Sequence, residues 1–123
     1  MAKKILIIED EKSLVEAIAE SLRGEGYEVR EACDGAQATK TLQSFSPDLI
    51  LLDIIMPDMD GITFLKQIRK ADSPHVEVKV IIFTNLAGEK KWISDMGLEI
   101  TDYIVKANSS LADLIAKLKI YLK

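Results

Sequence analysis

The residues able to do chemistry in this chain stand at the ends of short hydrophobic runs. Lys4-Ile5-Leu6-Ile7-Ile8 stops at the acid pair Glu9-Asp10, Leu49-Ile50-Leu51-Leu52 at Asp53, Val78 to Phe83 at Thr84, and Ile100 to Val105 at Lys106. Leu49 to Leu52, bounded by Pro47 and by the turn-rich Met56-Pro57-Asp58-Met59-Asp60-Gly61, reads as a strand buried on both faces, as in the middle of a parallel sheet, and the other runs read as strands too. Parallel strands end at one sheet edge, and ligands of open α/β sheets bind at that edge. Three carboxylates, a hydroxyl and an ammonium therefore converge. Each like-charge pair at about 4 Å costs roughly 4 kcal/mol at an effective dielectric near 20, and nothing structural calls for such crowding. Hard oxygen ligands beside an ammonium make sense around a divalent cation, most simply Mg²⁺, together with a phosphoryl group. The metal relieves the repulsion, while Lys106 and the Thr84 hydroxyl serve a phosphoryl oxygen as cation and hydrogen-bond donor.

Taken singly, each residue has a plainer reading. Glu9 and Asp10 fit the positive end of a helix dipole as readily as a metal. Asp53 alone caps a turn, Thr84 alone caps a helix, Lys106 alone is a solvated charge, and Tyr103 alone is a core aromatic with a polar tip. Their joint placement at successive strand ends favours the site. His75, in the polar loop Asp72-Ser73-Pro74-His75, reads as an exposed histidine without a role. Trp92 is either core or a partner contact, and Lys90-Lys91 beside it is a solvated face.

The elements that must position these groups alternate strictly. After the first strand, Leu14, Val15, Ile18, Ala19 and Leu22 fall at helical spacing until Gly24 and Gly26 end the pattern. Tyr27 to Ala32 alternates as an edge strand does. Asp34-Gly35 turns the chain into a short helix carrying Ala36, Ala38, Leu42 and Phe45, which Pro47 stops. Ile62, Phe64, Leu65 and Ile68 mark a third helix. A fourth, weakly amphipathic, spans about 87 to 96 with Gly97 as its C-terminal cap. Ser109 or Ser110 caps a fifth, whose Leu111, Leu114, Ile115, Leu118 and Leu122 form an apolar stripe. Five β-α alternations imply a doubly wound parallel sheet.

The 123 residues suit a single domain with its own core. No apolar run approaches the roughly 20 residues of a membrane span, and the N-terminus lacks a signal peptide, so a cytoplasmic protein is expected. Cys33 is the only cysteine; an intrachain disulfide is excluded, and its place at a strand end suggests a buried structural thiol. The net charge of −4, without a basic stripe, disfavours direct contact with nucleic acid.

The chain resembles the response-regulator receiver family, the flavodoxin-like domains of two-component signalling. The resemblance rests on Ile7-Ile8-Glu9-Asp10, Asp53-Ile54-Ile55-Met56-Pro57-Asp58-Met59-Asp60-Gly61, Phe83-Thr84 and Asp102-Tyr103-Ile104-Val105-Lys106, in this order and each at a predicted strand end. It implies a five-stranded sheet in the order 2-1-3-4-5 with helices on both faces. It implies that Asp53 is the nucleophile that accepts a phosphoryl group from a partner histidine kinase. Asp10 and Asp53 would bind Mg²⁺ directly, Glu9 through water, and Ile55 through its backbone carbonyl. Thr84 and Lys106 would grip the phosphoryl oxygens, and Tyr103 would swing inward as Thr84 moves, altering the face made by the fourth helix, fifth strand and fifth helix. The expected function is a signalling switch rather than an enzyme with turnover, acting as monomer or weak dimer on an output protein. A phosphorelay intermediate or a receiver cut from a longer regulator is the alternative.

Four positions depart from the family pattern: Glu9 replaces the usual aspartate, Asn85 stands where a small residue follows the threonine, Ala107 replaces a proline after Lys106, and Gly97 precedes Tyr103 by two residues more than usual. The last suggests a shortened fourth helix and a longer loop behind it. Ala107 leaves two options, a strained non-proline cis bond or a trans bond that aims Lys106 differently. Ile55 and Leu86, the second residues after Asp53 and Thr84, are apolar and cannot position a hydrolytic water, so self-dephosphorylation is expected to be slow. A haloacid-dehalogenase-type phosphohydrolase would need an acid at Ile55. A flavodoxin-type cofactor site would need a phosphate loop where Glu9-Asp10 would repel one.

Overall fold

The computed structural model describes residues 2–55 and 61–123; the turn Met56 to Asp60, on which part of the sequence motif falls, lies outside the described residues. Among these, the order is β1 (Lys4–Ile8), α1 (Lys12–Gly24), β2 (Glu28–Ala32), α2 (Gly35–Thr41), β3 (Leu49–Leu52), α3 (Gly61–Ile68), β4 (Lys79–Thr84), α4 (Glu89–Asp95), β5 (Asp102–Val105) and α5 (Leu111–Tyr121), with a 3-10 turn at Lys106–Asn108 before α5. The strands form one sheet in the order β2-β1-β3-β4-β5, parallel throughout. This is the doubly wound parallel sheet expected from the alternation, in the flavodoxin-like order that the resemblance implies.

Period-two alternation within buried strands feeds two cores. Leu6, Ile8, Ile50, Leu52, Val80 and Ile82 point to one face and pack with Ala38 of α2, Phe64, Leu65 and Ile68 of α3, and Ile93 of α4. Ile5, Ile7, Leu49, Leu51, Ile81 and Phe83 point to the other, against Val15, Ile18, Ala19 and Leu22 of α1 and Leu114, Leu118 and Leu122 of α5. Both faces of β1, β3 and β4 are thus covered, and this is why those strands read as continuous aliphatic runs.

Register then carries the strand ends to one edge. Ile8 lies beside Leu52, Leu52 beside Ile82, and Thr84 beside Val105, so the next residues are Glu9, Asp53, Phe83 and Lys106. Backbone bonds continue the ladder one step, from Asp53 N–H to the Ile8 carbonyl at 3.0 Å and from Glu9 N–H to the Ala32 carbonyl at 3.0 Å.

Helix ends follow local chemistry. Asp34 caps α2 through Gln37 N–H. Ser110, not Ser109, caps α5 in a capping box with Asp113, the reciprocal arrangement that satisfies two orphan donors. Helix α4 ends where Gly97, at φ +76°, donates to Ser94 and Leu98 donates to Ile93, a Schellman closure that needs a residue tolerant of positive φ. The helix is short and a six-residue loop precedes β5, in line with the displaced glycine.

Four expectations are corrected. Cys33 is exposed, because β2 already ends at Ala32 and the cysteine falls on the following turn. Leu111 of the α5 stripe is exposed, since it begins the helix beyond the packed face. Ala36 of α2 is exposed as well, leaving Ala38, Leu42 and Phe45 to make that helix region's contact with the core. His75 is half-buried, not exposed, where its N–H meets Ser73 Oγ and its carbonyl accepts from Arg69. Trp92, for which the sequence left two options, stands 49% exposed on α4. No helix among the described residues is long and apolar enough to cross a membrane.

Candidate functional site

Glu9, Asp10 and Asp53 gather as the sequence predicted: one carboxylate oxygen from each lies within 4.8 Å of the others. Their settings differ. Glu9 and Asp53 are buried, at 3% and 6% exposure, whereas Asp10, on the way into α1, is exposed. Asp53 is held on both oxygens. Its Oδ1 accepts from Ile55 N–H at 3.0 Å, and its Oδ2 accepts from Lys106 Nζ at 3.0 Å.

Lys106 reaches Asp53 although all peptide bonds among the described residues are trans. Its ammonium also donates to Glu9 Oε1 and lies 5.7 Å from the centre of the Phe83 ring. Burial pulls the lysine pKa down, but the bonds to Glu9 and Asp53 outweigh it and hold the group above its usual value. The Glu9 carboxyl is pushed up to about 7 by burial, against the opposing pull of Lys106 and Glu11 N–H. Glu11 N–H, at the N-cap of α1, donates to Glu9 Oε2 at 3.2 Å. The capping alternative is therefore met in part by Glu9.

Thr84 is fully buried at the end of β4, and its Oγ accepts from Leu86 N–H at 3.4 Å. It does not cap α4, whose N-cap is Gly88. Tyr103, half-buried on β5, donates its hydroxyl to the Leu86 carbonyl at 2.5 Å. Burial first, then the Glu89 charge, raises its pKa. Ile55 and Leu86 are exposed, at 50% and 40%, and Asn85 between Thr84 and Leu86 is exposed too.

Two contributions escaped the sequence reading. One is the ring of Phe83 beneath Lys106, for which an aromatic beside a strand-end threonine was the available signal. The other is Gly61: a Cβ there would lie 2.4 Å from the Ile54 Cα and 2.5 Å from the Asp53 carbonyl oxygen, and its N–H donates to the Ile54 carbonyl at 3.1 Å. The first residue of α3 thus rests directly on the backbone that carries Asp53.

The donor set fits a hard divalent cation: carboxylate oxygens, no sulfur or imidazole, and an open side at Asp10. A cation plus a buried hydroxyl nearby suits a tetrahedral oxyanion with negative charge.

Comparison with known proteins agrees with this geometry. Chemotaxis protein CheY4 of Vibrio cholerae is 26% identical, with a TM-score of 0.86 over 99% of this chain and 100% of its own. A CheY-like receiver domain protein of Methanospirillum hungatei is 28% identical, with a TM-score of 0.85 over 99% of this chain and 94% of its own. Response regulator TrrA of Thermotoga maritima, solved in complex with Mg²⁺-BeF, is 32% identical, with a TM-score of 0.81 over 98% and 99% of the two chains. The family model described as the response regulator receiver domain matches residues 5–119. With the sheet order, the acid pocket and the strand-end lysine all in place, the chain belongs to the response regulator receiver domain family of two-component signalling.

Proposed function

We propose that the chain is a phosphorylation-dependent switch in which Asp53 accepts a phosphoryl group from the phosphohistidine of a sensor kinase. The observation that carries this reading is Asp53 itself, a nearly buried carboxylate at a strand end with Lys106 Nζ on one oxygen and two further acids beside it. A carboxylate oxygen of Asp53 bonds to phosphorus, the P–N bond to the donor histidine breaks, and its electron pair stays on the imidazole. Asp10 and Asp53 would hold Mg²⁺ through carboxylate oxygens and Ile55 through its backbone carbonyl. When bound, the metal offsets negative charge shared between the carboxylates and the phosphoryl group.

Phosphorylation adds close to two negative charges and three acceptor oxygens. Lys106 already stands at Asp53 to receive one of them. The Thr84 hydroxyl is engaged with Leu86 N–H and joins the phosphoryl group by turning away from that partner. Tyr103 is bonded to the carbonyl of the same Leu86, so a shift at Thr84 is felt at β5. A packed face with two arrangements converts such a shift into altered binding by α4, β5 and α5. The output is a population shift and not substrate turnover. Trp92, exposed on α4, belongs to the surface read by the partner.

Beryllofluoride with Mg²⁺ mimics the phosphoryl group and tests the reading directly. Trp92 fluorescence and the amide spectrum should respond in the wild-type chain and stay unchanged in Asp53→Ala. A response of equal size in Asp53→Ala would reject Asp53 as the acceptor.

A further inference from the structure

Helix α4 is fastened unevenly. Beyond its C-terminus, Met96, Leu98 and Ile100 pack against the core that holds Ile93, Gly97 and Leu98 close the last turn, and Thr101 N–H donates to the Val80 carbonyl at 2.7 Å. Before its N-terminus, Asn85, Leu86, Ala87 and Gly88 are all exposed. Gly88 takes the N-cap position at φ +90° with no side-chain cap, a left-handed conformation that glycine enters and leaves without steric cost. The ties at that end, from Leu86 N–H to Thr84 Oγ and from the Tyr103 hydroxyl to the Leu86 carbonyl, engage the two residues of the proposed switch. One end is seated and the other is a joint.

Arg69 ties the seated end to the body of the molecule. It directly follows α3, whose Leu65 and Ile68 are buried, and its N–H extends that helix to the Leu65 carbonyl at 3.1 Å. From this mount the half-buried side chain forks. Its Nε donates to the Glu99 carbonyl at 3.0 Å, in the loop after α4. Its Nη1 donates to the Val76 carbonyl at 3.0 Å and to the His75 carbonyl at 3.4 Å, in the loop before β4. We propose that Arg69 is a positioning residue that pins the loop after α4 as a fixed pivot, so that α4 swings at its Gly88 end when Thr84 changes partners. The planar fork lets one side chain serve two loops, whereas a lysine ammonium on its flexible stem holds one at a time. Hinges confine the change of backbone angles to a few residues, here Gly88 and its neighbours. Trp92, in the middle of the seven residues of α4, is carried by the swing. Without the pin, the six-residue loop before β5 gives way as α4 is pushed, and the push is lost in it.

The swing rests on the phosphoacceptor reading, whereas the pin does not, and the experiment keeps them apart. Amide exchange and ¹H–¹⁵N spectra are recorded on the full chain with and without beryllofluoride and Mg²⁺, for wild type, Arg69→Met, Arg69→Lys and Gly88→Ala. Methionine keeps an aliphatic stem and removes the donors. In the wild type, shift changes on binding should be large over residues 86–92 and small over 97–101. Without ligand, Arg69→Met should speed exchange at Leu98 and Thr101 on the order of tenfold, as the loss of charge-assisted hydrogen bonds implies. With ligand, its shift changes should spread through residues 97–101 and its Trp92 fluorescence response should shrink. Its affinity for beryllofluoride should stay within about twofold of wild type, since Arg69 lies at the sheet edge opposite Asp53. Arg69→Lys should resemble Arg69→Met. Gly88→Ala, strained at positive φ, should alter the Trp92 response and leave exchange at Leu98 and Thr101 as in the wild type.

Wild-type shift changes as large over residues 97–101 as over 86–92, Arg69→Lys behaving as wild type, or an undiminished Trp92 response in a folded Arg69→Met chain would overturn the pivot. Should Arg69→Met fail to fold, Gly88→Ala decides, and an unchanged Trp92 response there would reject the joint. Lack of any wild-type response to beryllofluoride would strike the phosphoacceptor reading and the swing with it, while exchange at Leu98 and Thr101 in the unliganded variants would still decide the pin.

Discussion

Tyr103 donates its hydroxyl to the carbonyl of Leu86 at 2.5 Å, which ties an edge-strand aromatic to the loop leaving Thr84. Leu86 also donates its own N–H to Thr84 Oγ. One residue thus receives from the reporter side chain and gives to the buried hydroxyl. Tyr103→Phe keeps the ring in its place against the core and removes only the tie. A net hydrogen bond is worth about 1 kcal/mol, so unfolding in urea should show a loss of roughly that size. The Trp92 fluorescence response to beryllofluoride should shrink more than the affinity for it.

Gly61 is expected to tolerate no side chain. The atoms a Cβ would meet are backbone atoms of Asp53 and Ile54 at 2.5 Å and 2.4 Å, which cannot rotate away. Forced overpacking of this kind costs typically about 1–3 kcal/mol. Gly61→Ala should lower the thermal midpoint and slow phosphorylation together, because the backbone displaced is the one that carries the acceptor.

Glu9 makes the metal-free protein sensitive to pH. Burial raises its carboxyl from 4.5 to about 7, so the folded state holds a proton that the unfolded chain has released over that interval. This contribution is present in full below about pH 4.5 and is lost as pH rises through about 7. Unfolding free energies measured in denaturant without metal should fall between pH 5 and 8 by an amount on the order of 2 kcal/mol more in wild type than in Glu9→Gln. Equal slopes for the two proteins would contradict the shift.

Ile55 and Leu86 are exposed at the strand ends and offer no group that could align a water on a phosphoryl centre. The phosphorylated form should be long-lived, and Ile55→Asn should shorten its lifetime several-fold in Mg²⁺. Decay can be followed by the return of Trp92 fluorescence after the donor is removed. A lifetime in wild type no longer than in Ile55→Asn would count against this role.

Much of the architecture was legible because buried parallel strands have a plain signature: Ile5 to Ile8, Leu49 to Leu52 and Val80 to Phe83 are aliphatic or aromatic at every position, and each is followed at once by a polar residue. The convergence of Glu9, Asp53 and Lys106 then follows from register alone. What could not be read was pairing within the site. Strand order brings Lys106 near two buried acids, but only side-chain reach decides that it bonds both. Cys33 was misplaced because the residue after an edge strand has a neighbour on one side only, so the turn that follows Ala32 leaves the thiol exposed. Leu111 fits the apolar spacing of α5 yet lies in its first turn, past the end of the packed surface. Gly61 was read only as part of a turn, since its close approach to Asp53 depends on where α3 docks.

The most direct test of Asp53 as phosphoacceptor is the mass of the intact protein after exposure to acetyl phosphate and Mg²⁺, followed by peptide mapping. The expected result is a single added phosphoryl group on the peptide containing Asp53, absent from Asp53→Ala and absent when the metal is chelated. A phosphoryl group on another peptide, or one that persists in Asp53→Ala, would contradict the assignment.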